Sequence, residues 1–206
     1  MGLGGVGHGS GVVSRLAKSM KVLISWTGLR REPHAFRAGQ LVPGTHLQVL
    51  RDSPYTGQFQ HHYLLSVPET LEDANQIVRE IAALGNGPQT DVKVLQLLDP
   101  TDLHEIAGAL SIVWREIGLC HPPLSHEFFV LLNTGTPQMQ AVWLLLASMG
   151  LVAARLIQTC PPELALQSGT PPVRELNTDF SHWRELFTPV KAVSYTHLTL
   201  PTNREV

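Results

Sequence analysis

Five short apolar runs alternate with stretches of helical period, and that alternation leaves few architectures open. Lys21 to Trp26 is the first run, closed by Thr27-Gly28, and His62 to Val67 is the second, ended by Pro68. Val92 to Leu98, Phe128 to Leu132 and Val152 to Ile157 follow. Runs of roughly four to eight residues bounded by turn residues read as buried strands. Between the second and third, Leu71, Ala74, Ile77, Val78 and Ile81 share one helical face. Thr70 stands at the cap of that helix, Glu72 and Asp73 lie in its first turn, and Gly85-Asn86-Gly87-Pro88 stops it. Leu103, Ile106, Leu110, Val113, Trp114 and Ile117 repeat at helical spacing as far as Gly118, and Met139, Val142, Trp143 and Leu146 do so after Pro137. Thr45 to Arg51 reads as a short helix after a loop over residues 29–44. Strictly alternating strands and helices predict an α/β fold. The expected form is a three-layer sandwich on a mostly parallel sheet of about five strands, ordered 3-2-1-4-5.

Composition narrows what such a fold can bind. Apolar residues make up 43% of the 206, enough for a core. Charged residues are 16% and the formal net charge is −2. A nucleic-acid contact must then be local, through backbone amides and a few side chains, rather than through a basic field. Cys120 and Cys160 have neither metal nor disulfide spacing and read as two buried thiols in a reducing cytosol. Phe128 to Ala154 carries no charge, but its longest clean apolar run, Ala141 to Ala154, is too short for a bilayer span.

The ends read differently from the middle. Residues 1–19 are glycine-rich and are expected to form a disordered leader, with Met20 a plausible start. Gly2-x-Gly4-x-x-Gly7 matches the dinucleotide fingerprint in letters only, because no strand precedes it to aim a pyrophosphate at a helix. Residues 20–162 form the expected domain. Past Cys160, Pro161, Pro162, Gly169, Pro171 and Pro172 suggest a linker over 163–191, with a turn or two of helix between Phe180 and Phe187. Residues 192–206 lack any period and resemble translated adapter read-through. The expectation is a truncated N-terminal piece whose output domain is missing.

The richest local feature is the turn after the fourth run, Asn133-Thr134-Gly135-Thr136-Pro137-Gln138. Proline suits the first helical position and Thr136 the cap before it. Gly135 lets backbone approach a ligand. The amides of Gln138 and Met139, at the positive end of the helix dipole, make an anion site; an ordinary capped helix start is the alternative. In the order 3-2-1-4-5, the first and fourth strands are neighbours whose crossovers leave on opposite faces. Ser25, Trp26, Thr27 and Gly28 then meet the Gly135 turn at the switch point where α/β ligands bind. Trp26 either stacks on a base or fills the core, and Arg30, Arg31 and Arg37 either meet phosphates or line a solvated loop.

Catalytic patterns are missing. His104-Glu105 lacks the second histidine of a zinc motif, and His121 and His126 have no acidic or cysteine partner at ligand spacing. Gly-x-Ser-x-Gly does not occur. A plain dinucleotide-binding domain is disfavoured, because the second run closes on Ser66-Val67-Pro68 without an acid. No cofactor and no metal site are expected.

The run Phe128 to Met139 resembles the nucleotide-binding motif of the CRISPR-associated Rossmann fold (CARF) family. The longer run Asn133 to Pro162, with Ala154-Arg155-Leu156-Ile157-Gln158-Thr159-Cys160-Pro161-Pro162, is similar to the N-terminal domain of the regulators of RNA terminal phosphate cyclase, which are sigma-54-dependent activators. The similarity is dense over 126–162 and looser over 21–125. It implies a Rossmann-like sensor domain and a homodimer with one composite pocket. It also implies a ligand that is either a cyclic oligoadenylate or RNA with a 2′,3′-cyclic phosphate end. Family members carry an AAA+ ATPase and a helix-turn-helix module further on; no Gly-x-x-x-x-Gly-Lys-[Ser/Thr] occurs here, so direct DNA binding is not expected of this piece. The resemblance leaves one enzymatic alternative, a ring nuclease in which Thr134 or Ser25 orients a ribose 2′-hydroxyl.

Overall fold

Leu23 and Ile24 are wholly buried because the first strand lies in the middle of a sheet covered on both sides. In this computed structural model, residues 19–28, 34–37 and 40–181 are described. The chain runs β1 (Met20–Trp26), β2 (His34–Arg37), β3 (Gln40–Pro43), α1 (Thr45–Arg51), β4 (Phe59–Ser66), a 3-10 turn (Pro68–Thr70), α2 (Leu71–Ala83) and β5 (Gln89–Val94). It continues α3 (Leu103–Cys120), β6 (His126–Leu131), α4 (Pro137–Ser148), β7 (Ala154–Thr159), α5 (Pro162–Ser168) and β8 (Val173–Glu175). The main sheet is ordered β5-β4-β1-β6-β7-β8, and β2 and β3 form a separate hairpin. All neighbours in the main sheet are parallel except β7 and β8. Counted along the main sheet the order is 3-2-1-4-5-6, the expected Rossmann-like order with one further strand.

The side-chain alternation of β1 divides the core. Val22, Ile24 and Trp26 face α3 and α4, where Ile106, Leu110, Val113, Ile117, Val142 and Trp143 pack. Leu23 faces α1 and α2, among Leu47, Leu50, Ala74, Ile77 and Ile81. Each such aliphatic side chain contributes roughly 1.5–3 kcal/mol through burial. Helices after β1 and after β6 therefore lie on opposite faces, and the switch point falls between the C-terminal ends of those two strands.

Several boundaries depart from the sequence expectation. β5 stops at Val94, not Leu98: β4 ends at Ser66, Leu95 makes the last hydrogen bond to it (2.8 Å), and Leu98 is fully exposed. β7 is shifted by two residues, to Ala154–Thr159. α3 runs through Gly118 to Cys120, whose place at the helix end leaves its thiol exposed rather than buried, and Cys160 is only half-buried. Thr70 stands at the head of α2 but does not cap it; its hydroxyl bonds Ser66 Oγ (2.9 Å) and the Val67 carbonyl. Part of the expected 29–44 loop is the β2–β3 hairpin.

The largest correction concerns the stretch read as a linker from 163. Pro162 opens α5 at the first helical position, and Gly169, at φ +64°, ends it in the left-handed conformation. The chain then returns as β8, antiparallel to β7, with Val173 2% exposed in the core. Arg155 on β7 ties β8 down through Glu175 (Nε to carboxylate 2.7 Å). The leader up to residue 18, Arg30, Arg31 and the tail over 192–206 lie outside the described residues. Among the described residues, no helix is long and apolar enough to cross a membrane.

Candidate functional site

A crevice of about 290 Å³ opens at the C-terminal edge of the sheet, on the α3–α4 side. Four chain segments wall it. β1 gives Trp26 and Thr27, the β4–α2 connection gives Val67, Glu69 and Thr70, the loop after β5 gives Leu97, Leu98 and Pro100, and the β6–α4 turn gives Gly135, Thr136 and Met139. Among the described residues the wall is largely apolar, and the one charged side chain that lines it is Glu69, exposed at the rim.

The β6–α4 turn is held by its own sequence. Thr136 has extended backbone, and its hydroxyl accepts the Met139 N–H (3.2 Å) and donates to the Pro100 carbonyl (3.1 Å). The cap thus takes one of the two amides expected to meet a ligand and also pins the loop after β5 to α4. Gln138, half-buried in the first turn, has no intrahelical acceptor for its amide. Gly135 has φ +78°, and a β-carbon there would lie 2.9 Å from both Met139 Sδ and Trp26 Cβ. Backbone of the turn therefore lies directly against Trp26, which no larger residue allows.

The expected site residues separate into groups. Trp26, Thr27, Gly135 and Thr136 all line the crevice. Thr134, 2% exposed, braces it from beneath: its hydroxyl accepts the Trp26 N–H (3.1 Å) and donates to the Leu131 carbonyl (3.1 Å). Thr27 holds β1 to β4 by two bonds to the Leu65 carbonyl, from its amide (2.7 Å) and its hydroxyl (3.0 Å). Gly28 is buried just beyond, Pro137 is exposed at the first position of α4, and Asn133 turns away to accept the Thr159 N–H (2.6 Å). Arg37 falls on β2.

Ser25 is not in the crevice. It is wholly buried on the opposite face, with Oγ 2.9 Å from His46 Nε2 and 2.7 Å from His62 Nε2. Adjacent strand residues point to opposite faces, so Ser25 and Trp26 cannot share one site; the period-2 rule contained that signal. Trp26 is 1% exposed, which makes it a wall and core residue rather than an open stacking platform. Its indole N–H is buried without an acceptor among the described residues.

Val67, Glu69, Thr70, Leu97, Leu98 and Pro100 were not expected at the site. They come from the ends of β4 and β5, which only the sheet order brings beside β1. A second polar cluster lies at the other end of the sheet. There His121 Nε2 is 2.9 Å from the Tyr63 hydroxyl, and its ring stands 5.0 Å from His61 and 4.8 Å from His126. His61 in turn bonds Asp91 (3.0 Å). Among the described residues, no three such side chains converge as metal ligands.

Comparison with known proteins places this architecture. Csm6 of Enterococcus italicus, solved bound to cyclic hexa-2′-fluoro-hexa-dAMP, superposes with a TM-score of 0.60 at 21% identity, over 82% of this chain and 43% of its own. The likeness is one of fold, and this chain spans less than half of that protein. No curated protein sequence matches the chain. A family model does match, that of the regulator of RNA terminal phosphate cyclase, over residues 57–198. That match takes in α2 through β8 and the whole β6–α4 turn, more than half of the chain, and so this protein belongs to the regulator of RNA terminal phosphate cyclase family, as a ligand-sensing domain with a CARF-like, Rossmann-like fold.

Proposed function

We propose that the crevice senses RNA ending in a 2′,3′-cyclic phosphate, and that the domain passes that signal to the output module of a sigma-54-dependent regulator in the cytoplasm. The observation that carries the reading is the Gly135 turn. It sets bare backbone and the first turn of α4 at the mouth of a crevice on the switch point, where an anion meets amides and the positive end of a helix. The family's description, a regulator of RNA terminal phosphate cyclase, makes an RNA terminal phosphate the anion to test first. A sensor needs no nucleophile, and the two hydroxyls that ring cleavage would use are occupied within the fold: Ser25 lies on the far face and Thr134 braces β1. A cyclic oligoadenylate is the second ligand to test, because the Csm6 structure of like fold holds a molecule of that class.

The discriminating variant is Gln138→Glu. An acid in the first turn of α4 favours the helix dipole by about 0.3–1 kcal/mol, so the fold is kept or slightly strengthened. The same charge repels a phosphate seated on that turn. Calorimetry should show the 2′,3′-cyclic phosphate RNA binding wild type and weakening about tenfold or more, some 1.4 kcal/mol, in Gln138→Glu. Equal binding by the variant, or binding of cyclic tetra- or hexa-adenylate alone, overturns the reading.

A further inference from the structure

A groove of about 480 Å³ opens at the end of the sheet opposite the crevice, where β6 and β7 begin and α4 ends. Phe128, Ala147, Val152 and Ala154 give it an apolar floor continuous with the core on the α3–α4 side. Leu124, Met149 and Leu151, next in the chain to the lining residues Pro123, Gly150 and Val152, are exposed. Apolar surface gathered in this way marks a contact site. The chain itself leads there. β8 runs antiparallel to β7, and the Leu176 N–H bonds the carbonyl of Leu156 (2.8 Å), two residues along β7 from Ala154. Leu176 packs on the same face of the sheet as the groove. Beyond it Thr178 and Phe180 are half-buried, while Asn177, Asp179 and Ser181 are exposed. At about 3.3 Å per residue, residues 177–181 reach up to about 17 Å from Leu176, and Ala154 lies only about 7 Å from Leu156.

Residues 182–187 lie outside the described residues, but their sequence offers the matching surface. At helical spacing Phe180, Trp183, Leu186 and Phe187 share one face, and Glu185 falls opposite. The family match runs through this stretch to residue 198. We infer that residues 182–187 dock in the groove, with Trp183, Leu186 and Phe187 on its apolar floor. A segment tethered a few residues from its seat acts at an effective concentration on the order of millimolar, well above that of a second copy in dilute solution. The groove is built on the foot of α4, whose head carries the Gly135 turn, so segment and crevice share one helix. The docking does not depend on what the crevice binds.

The test is hydrogen exchange on the full chain, without ligand, read peptide by peptide in wild type and two variants. Ala153→Arg puts a charge into the groove from an exposed position. A double variant, Trp183→Ser with Phe187→Ser, removes the apolar face of the segment. In wild type the amides of 182–187 should exchange about tenfold or more slowly than free chain. Both variants should lose that protection and quicken exchange over 149–155, while β1 and β4 keep theirs. Exchange at the free-chain rate over 182–187 in wild type overturns the inference, and so does protection that survives both variants. Protection of 149–155 that falls on dilution assigns the groove to a second copy and overturns it as well. Should Ala153→Arg also lose protection in β1, the double variant, which alters no described residue, decides by the same criteria.

Discussion

Ser25 hydrogen-bonds two imidazoles at once, on the face of the sheet away from the crevice. A hydroxyl donates one proton, so one of His46 and His62 must present an N–H at Nε2 and the other a lone pair. Thr90 Oγ1 extends the chain to His62 Nδ1 (3.4 Å), and the network joins α1, β1, β4 and β5. Ser25→Ala removes the centre and leaves buried ring nitrogens without that partner. The expected loss is about 1–3 kcal/mol, read by urea denaturation at pH 7.5, with RNA binding of the surviving folded protein unchanged. Binding lost in step with the hydroxyl would mean that Ser25 touches ligand after all.

His62, together with His121 at the other end of the sheet, sets a pH dependence. Burial, then the neighbouring His46 and His61, hold His62 well below the ordinary histidine value, and burial with His61 and His126 lowers His121. In the unfolded chain both take up a proton near pH 6.5, while the fold keeps them neutral. The unfolded state then binds more protons, so their contribution is fully present above about pH 6.5 and is lost as pH falls below it. Melting midpoints measured from pH 8 to pH 5 should be level at first and then decline below about 6.5. In His62→Gln, compared with wild type, the decline should be shallower.

At the scale of elements, the β6–α4 turn is an N-cap, a wall of the crevice and a clamp on the loop after β5. Thr136→Ala removes the cap and the bond to Pro100 together, at about 1 kcal/mol for the cap alone. Hydrogen exchange in that variant should quicken at residues 97–101 as well as in the first turn of α4; protection lost in α4 alone would show that the clamp contributes nothing. Gly135→Val cannot serve as a pure binding probe, because the added atoms meet Met139 and Trp26 and the +78° φ disfavours any branched residue. The turn was legible in the sequence because cap, proline and glycine are adjacent in the chain. The inner strands β1 and β6 were legible because burial on both faces leaves continuous apolar runs, whereas β5, an edge strand without a fully buried residue, was read three residues late. β8 was hidden: three residues carry no period, and the prolines and glycine that bound α5 look like a linker until a strand edge is there to receive the chain. Glu69 was hidden for another reason. Pro68-Glu69-Thr70 carries no site pattern, and only the sheet order brings the end of β4 to the crevice.

For the whole molecule, the crevice of one chain holds about 290 Å³, and the family association implies that two chains act together. We expect a homodimer with the two Gly135 turns near the two-fold axis. Multi-angle light scattering at tens of micromolar should give twice the chain mass, and a monomer that still binds the RNA end would establish that a single crevice suffices. Crosslinking from a cysteine placed at Pro137, exposed at the start of α4, should join the chains if the axis runs there.

The reversal of β8 has a geometric consequence. β7 climbs toward the crevice edge, and β8 runs back down beside it, from Val173 opposite Thr159 to Glu175 opposite Ile157. Leu176 continues that descent with a hydrogen bond to the Leu156 carbonyl. The peptide therefore leaves the sheet heading for the pole opposite the ligand's doorway. At Leu176 the chain is thus below the crevice edge, and a surface tether made at that level should leave RNA access unhindered.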